Sequence, residues 1–362
     1  MSRWLLLALI VLVAAPVAAV AVLRKDTRAP APRGEGQARQ PEEGGPVSLT
    51  WVGDISLSSG HGLPSDPERT LVGGVKRLLG TSDITLGNLE GTLGSGGASK
   101  CAGEHVNCFA FQAPPAYARL LKSAGFDVMN LANNHAFDFG ASGQRQTIAA
   151  LERQRLGHSG RPGEVLVRRA RGLRIAIVGF APYPWSASLL DTQSAQLLTR
   201  RASSKSDLVV AVIHAGAEGS DQTRTPSGTE VAFGENRGDT RGFAHAVVRA
   251  GADVVLGSGP HVVRGIEAYR GRLIAYSLGN FLGYHTFSTG GTLSESGILR
   301  VRLAASGRPI GGRWISVRLD GAGVPYLDSG GHSAQLVRGL SRQDFGPRAY
   351  PMGPAGELRP PR

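Results

Sequence analysis

The chain has 362 residues, 41% of them hydrophobic, with 51 glycines, two cysteines and a formal net charge of +12. That hydrophobic share supports a buried core and excludes a wholly disordered chain, and glycines without a fixed period exclude a collagen-like fibre. The positive charge is almost all arginine, scattered along the chain with no dense basic run and no interleaved aromatics, so no nucleic-acid partner is expected.

Trp4 to Leu23 is an unbroken apolar run between Arg3 and Arg24-Lys25. It is long enough to cross a bilayer, which takes about 20 apolar residues. Residues 1–25 therefore read as a signal-anchor or a signal peptide. The length of the run and its charged end favour an anchor, while Ala19-Val20-Ala21 leaves cleavage open. The chain is then expected outside the cytoplasm, held at the membrane by this segment, or secreted if the segment is removed. Residues 26–46, built of Pro, Gly and charge without apolar period, read as a disordered linker.

A folded domain is expected over residues 47–303. Its apolar runs predict strands at Val47 to Gly53, Ile84 to Leu89, Asp127 to Leu131, Leu173 to Phe180, Leu208 to Ile213, Asp253 to Leu256 and Arg272 to Ser277. Helical patterns lie at Pro115 to Ala124, Ala141 to Arg153 and Arg241 to Ala250. Strands alternating with helices predict an α/β fold. Cys101 and Cys108 are close enough in sequence to close a small loop, and a disulfide there implies an oxidising compartment. Beyond residue 304 the apolar pattern thins, so 304–362 reads as a C-terminal extension, partly disordered.

In α/β sheets, ligands sit beyond the carboxyl ends of the strands. The residues found there are Asp54, then Asn88 and Glu90, then Asn133, Asn134, His135 and Asp138, then His214 and Glu218, then His261. One Asp or Asn after a strand is ordinarily a turn residue. Five strands all finishing in metal-capable side chains point instead to a shared site. Carboxylates, amide oxygens and imidazoles without thiolates suit divalent ions of the Mn, Fe or Zn type, one or two of them. Asp138 is expected to orient His135, and Asn280, Glu218 and Glu235 are candidates for the site margin. Arg241 and Arg264 are candidate anion clamps.

The segments VGDISLS, LGNLEGTL, NLANNHAFDFG, VIHAGAEGS, GADVVLGSGPHVVRGIE and LIAYSLGNF resemble the ordered motifs of the CapA family of capsule or poly-gamma-glutamate biosynthesis proteins, a family related to calcineurin-like metallophosphoesterases. The resemblance implies a four-layer α/β/β/α sandwich with metals at the strand ends. It implies Asp54, Glu90, Asn134, His214 and His261 as metal ligands and His135 as the catalytic residue. Asn88, Asn133, Asp138, Glu218 and Asn280 would support the site or contact substrate. Two departures stand out. Ser56 occupies a position where the phosphoesterase pattern has His, and Gly257-Ser258-Gly259-Pro260-His261 keeps only the last imidazole of that motif. The resemblance implies a metal-dependent phosphoesterase-like hydrolase at the outer membrane face, with an anionic exopolymer and a polymer-synthase complex as partners. The alternative is a non-catalytic assembly or export component that binds the polymer.

Overall fold

The computed structural model describes residues 44–58, 62–103 and 108–361. The apolar run at Trp4 to Leu23 and most of the linker lie outside the described residues. Among the described residues no helix is long and apolar enough to cross a membrane.

Strand Val47–Ser56 lies between antiparallel Glu295–Leu303 and parallel Ile84–Leu89. Beyond Ile84–Leu89 the sheet continues in parallel through Val128–Asn130 and Gly157–Ser159. On its other side Glu295–Leu303 carries Pro309–Leu319 and then Pro325–Leu327, both antiparallel. A second sheet centres on Leu208–His214, which is parallel to Leu173–Ala181 and Val254–Ser258. Arg272–Ala275 extends it in parallel, and Ile266–Tyr269 and Leu166–Ala170 close its edges antiparallel.

Period-two alternation decides what each face packs against. Leu49, Trp51, Leu86 and Val128 of the first sheet meet Ile175, Ile177, Val210, Val212 and Leu256 of the second in one buried cluster. The opposite face of the first sheet, through Val52, Ile55, Leu89 and Met129, packs on Leu120, Leu121, Ala124, Ala150 and Leu151 of helices Ala118–Ala124 and Gly140–Arg153. The outer face of the second sheet, through Val178, Val209, Ala211 and Val255, packs on helices Thr192–Lys205 and Thr240–Arg249. The result is helices, sheet, sheet, helices, the four-layer α/β/β/α arrangement the resemblance implied. Trp51 Nε1 donates to the Gly257 carbonyl at 3.1 Å and ties the two sheets together.

The first strand contains the irregularity on which the site depends. Regular alternation from Leu49 and Trp51 would send Ile55 into the inter-sheet core and turn Asp54 away from it. The pairing with Ile84–Leu89 slips between Trp51 and Asp54, and Ile55 joins the outer cluster. A slip of one residue exchanges faces for everything downstream. At this point Gly53 runs so close to strand Asn280–Gly283 that a Cβ would collide with the Gly279 carbonyl, while Asp54 N donates to that carbonyl at 3.1 Å.

The strands expected from sequence are all present, with ends shifted by a few residues at most, and Cys101 and Cys108 form the expected disulfide. The expectation for 304–362 is corrected. Pro309–Leu319 is a full strand of the first sheet, and helix His332–Phe345 packs behind it with Val337 and Ala334 buried in the inter-sheet cluster. The strand was hard to read because Gly311, Gly312, Arg313 and Arg318 interrupt its apolar positions. Trp314, 1% exposed, fills the space over Gly297 and donates to Ser333 Oγ at 3.0 Å. Trp314→Ala is accordingly expected to lower the unfolding free energy by about 3–5 kcal/mol in denaturant titration. A loss within the ~0.5 kcal/mol typical of surface changes would contradict this placement.

Candidate metal centre

Strand register lines up the polar residues. Asp54 is opposite Asn280 on one side and Asn88 on the other, and Asn88 is opposite Asn130. In the second sheet His214 is opposite Ser258. All these residues are buried. The two rows face each other at the carboxyl ends of the parallel strands, where the inter-sheet core stops being apolar.

Glu90 lies at the centre, fully buried, and neither carboxylate oxygen has a hydrogen-bond partner among the described residues. Three imidazoles surround its Oε1: His261 Nε2 at 3.7 Å, His135 Nε2 at 3.9 Å and His214 Nε2 at 4.0 Å. These gaps are too long for hydrogen bonds. They are the kind that an ion held about 2.0–2.2 Å from each donor would bridge. Asp54, Glu90 and His261 offer donor atoms that all lie within 4.8 Å of one another, a group that could hold a metal ion.

The surroundings orient these donors. Asn88 Nδ2 donates to Asp54 Oδ1 at 2.8 Å, while Asn88 Oδ1 accepts from Asn130 at 2.8 Å and Asn133 at 3.2 Å. Asn88 is thus a hub that fixes Asp54. His261 adopts a left-handed backbone (φ 61°), and its Nδ1 donates to Asn280 Oδ1 at 2.8 Å, turning Nε2 toward Glu90. A second-row acceptor on the far ring nitrogen is the usual support of a metal-binding imidazole. His135 Nδ1 pairs with Asp138 Oδ2 at 2.7 Å, and Asp138 is held in turn by Lys100 Nζ at 2.7 Å and the Phe111 amide at 2.6 Å. Phe111 stacks on the His135 ring, with centroids 4.2 Å apart.

Electrostatics follow from burial and neighbours. Burial, with the Asp54 charge beside it, holds the Glu90 carboxyl well above its ordinary range. Burial also pushes Asp54 upward, but the hydrogen bond and charge of His261 and the neighbouring His214 outweigh it and leave it lowered. Burial would depress His261, yet Glu90, Asp54 and Glu218 around it raise it to about 10. Burial, with Arg237 nearby, takes His214 well below its usual value.

The family model for the bacterial capsule synthesis protein PGA_cap matches residues 48–285. The chain belongs to this family. A capsule biosynthesis protein CapA from Bacillus anthracis is 31% identical over 214 residues, covering 53% of this chain and 48% of that protein. The PGA biosynthesis protein CapA of Bacillus subtilis (strain 168) is 26% identical over 283 residues, covering 72% and 69%. The match thus spans about half the length of the first of these relatives. A solved 5'-nucleotidase precursor from Thermus thermophilus is similar with a TM-score of 0.42 and 15% identity, covering 78% of this chain and 54% of that one.

Of the residues expected at the site of this capsule-family chain, Asp54, Glu90 and His261 meet as the donor triad. His214 reaches its edge without joining it. Asn134 has a buried Oδ1 without a partner among the described residues and is not one of the triad. Glu218 Oε2 approaches His261 Nε2 at 3.6 Å, so Glu218 belongs to the site, as do Asn88, Asn133, Asp138 and Asn280 in supporting positions. Ser56 is buried, with its Oγ accepting from Ser58 N at 3.4 Å, and Ser258 Oγ lies 3.2 Å from His214 Nδ1. Glu235 is half-exposed and accepts from Tyr183 OH at 2.8 Å. Arg264 is no anion clamp: it is buried and doubly paired to Glu230 at 3.0 and 2.7 Å. Arg241 leans over the Phe345 ring.

Sequence reasoning missed Arg237. It is 1% exposed, pairs with Glu218 at 2.7 Å and donates to Gly216 O at 3.0 Å, and its Nη2 lies 3.4 Å from His214 Nε2. Asn130, also missed, was legible as the polar residue next to the end of the strand predicted at Asp127 to Leu131; Arg237 carries no comparable signal.

A donor set that holds protons when empty must release them to bind an ion. Titration of metal-free protein with Mn²⁺ or Zn²⁺ in buffers of differing ionisation enthalpy should release about one proton per ion, shared by the interacting Glu90–His261 pair. By the same linkage the affinity should rise with pH across the neutral range. Proton-neutral binding would contradict this assignment.

Proposed function

We propose that this chain is a metal-dependent phosphoesterase-like hydrolase that acts on an envelope substrate in capsule or poly-gamma-glutamate formation. The observation that carries the reading is Glu90, a buried carboxylate with two unpartnered oxygens ringed by three imidazole nitrogens. Asp54, Glu90 and His261 would hold the ion, with Glu218 and His214 at its margin. When bound, such an ion polarises a phosphoryl oxygen and acidifies water.

The chain's own residues supply the rest. His135 presents Nε2 to the centre while Asp138 holds Nδ1, so the ring is fixed with one nitrogen free to move a proton. Burial lowers its pKa and Asp138 partly restores it, leaving the ring neutral at rest. Phe111 and Phe287 flank His135 and His261 and restrict water around them. Arg237 places a fixed positive charge against His214 and Glu218, where a second cation would otherwise be drawn. We therefore favour one ion.

The outer membrane face is the location we favour. The disulfide between Cys101 and Cys108 and the apolar run from Trp4 to Leu23 support it. A membrane tether, an anionic exopolymer and a polymer-synthase complex are the partners that go with this reading. The alternative, a non-catalytic assembly component, would use the same donors to hold polymer and show no turnover.

Two measurements decide. Metal analysis of protein loaded to saturation should give about one ion per chain, and Glu90→Gln should lose it. Hydrolysis of a generic aryl phosphate or phosphodiester should fall by about 10²–10⁴-fold in His135→Ala and by about 10–100-fold in Asp138→Asn, with the metal content of both retained. Turnover unaffected by His135→Ala would sink the hydrolase reading.

A further inference from the structure

The chain leaves strand Thr92–Leu93 and returns at strand Gln112–Ala113, and the two pair in parallel to form a neck. Gly94 N closes the neck by donating to Ala113 O at 2.9 Å. Leu93 and Ala113 are buried, but none of the described residues between Gly94 and Ala113 is. A segment without buried apolar side chains opens at little cost, because its backbone entropy is opposed by no packing. What joins the outgoing and returning arms beyond the neck is the Cys101–Cys108 disulfide.

Both arms converge on Asp138. On the outgoing arm Lys100, the residue before Cys101, donates its amide to Asp138 O at 2.8 Å. Its Nζ lies 2.7 Å from Asp138 Oδ1 and donates to Asn134 O at 3.3 Å. On the returning arm the Phe111 amide donates to Asp138 Oδ2 at 2.6 Å, and the Phe111 ring stacks on His135. The two arms are unequally supported. Phe111 sits at the neck, where its carbonyl accepts from Thr92 N at 2.9 Å and Thr92 Oγ1 at 3.0 Å. The outgoing arm is tied as far as Gly96, whose carbonyl accepts from Gln112 Nε2 at 3.1 Å. Beside Lys100 the bonds are local turns, Cys101 N to Ser99 Oγ at 3.2 Å and Ala102 N to Ser99 O at 3.0 Å, which fix nothing outside the arm. The crosslink next to Lys100 is what ties it to the supported arm.

We propose that the Cys101–Cys108 disulfide and Lys100 form a positioning device for His135. The crosslink holds the Lys100 arm against the Phe111 arm, and the two arms together hold Asp138 where it fixes His135 Nδ1 and leaves Nε2 turned toward Glu90. Lys100 and the disulfide act through Asp138. The proposal rests on the reading of His135 as the group that moves a proton at this site.

The test is a cycle of full-length, Zn²⁺-loaded variants: Cys101→Ser with Cys108→Ser, Lys100→Met, and all three changes together. The cysteine pair and Lys100→Met should each lower kcat on a generic aryl phosphate by about tenfold, with KM within about twofold and metal content retained. The triple variant should lose the same factor of about ten, because both changes remove one interaction. The His135 Nδ1–H proton resonance, shifted downfield by its bond to the Asp138 carboxylate, should move upfield alike in all three. An unchanged resonance in the cysteine variant would overturn the proposal, whatever the rate. So would wild-type kcat in that variant when the wild type turns over. Additive losses, about a hundredfold in the triple variant, would overturn it by giving the disulfide a route that bypasses Lys100. A wild type without turnover would sink the hydrolase reading alone, and the His135 resonance would still decide whether the device positions the ring.

Discussion

Glu90 is a carboxylate taken out of water with no hydrogen-bond donor to receive it among the described residues, and much of the surrounding structure answers that cost. Isolated buried charge is among the least tolerable features a fold can carry. Here it is answered by a Glu90 carboxyl raised well above its ordinary range, by the His261 ring 3.7 Å away and by the buried Arg237 guanidinium. The protein can hold such a group only because both sheets deliver polar side chains to the same depth.

That delivery is a matter of register. Each parallel strand ends at the same level, so Asn280, Asp54, Asn88 and Asn130 form one row, and His214 and Ser258 face them from the other sheet. Asn130 donates to Asn88, Asn88 donates to Asp54 and Asn280 accepts from His261, so the amides fix the acid and the imidazole while Glu90 keeps both oxygens unspent among the described residues. Arg237 tethers the loop after His214 to the centre through Glu218 and the Gly216 and Gly259 carbonyls.

What could be read in advance was whatever obeyed a local rule. The apolar runs marked the strands, and the side chains just beyond them marked the site, because sheets of this kind gather ligands at those ends. Helix Thr192–Lys205 was missed because its buried side is Ala195, Thr199, Ala202 and Ser203, too small and polar to stand out as a stripe. The role of Arg237 was invisible because nothing distinguishes it in sequence from arginines that point to solvent. The bulge at Gly53-Asp54 falls where the sequence marks only the end of a strand. Its effect, bringing Asp54 to the inner face, depends on strand Asn280–Gly283, which pairs with it from far along the chain.

The first strand has its antiparallel neighbour in Glu295–Leu303, which is itself backed by Pro309–Leu319. Its Asp54 is also pinned by the Gly279 carbonyl and faces His261. A growing chain therefore cannot complete its central sheet or assemble its donor triad until nearly the whole sequence has emerged. Any ion taken up at this candidate centre would therefore be loaded late, and its binding would serve as a record of finished folding.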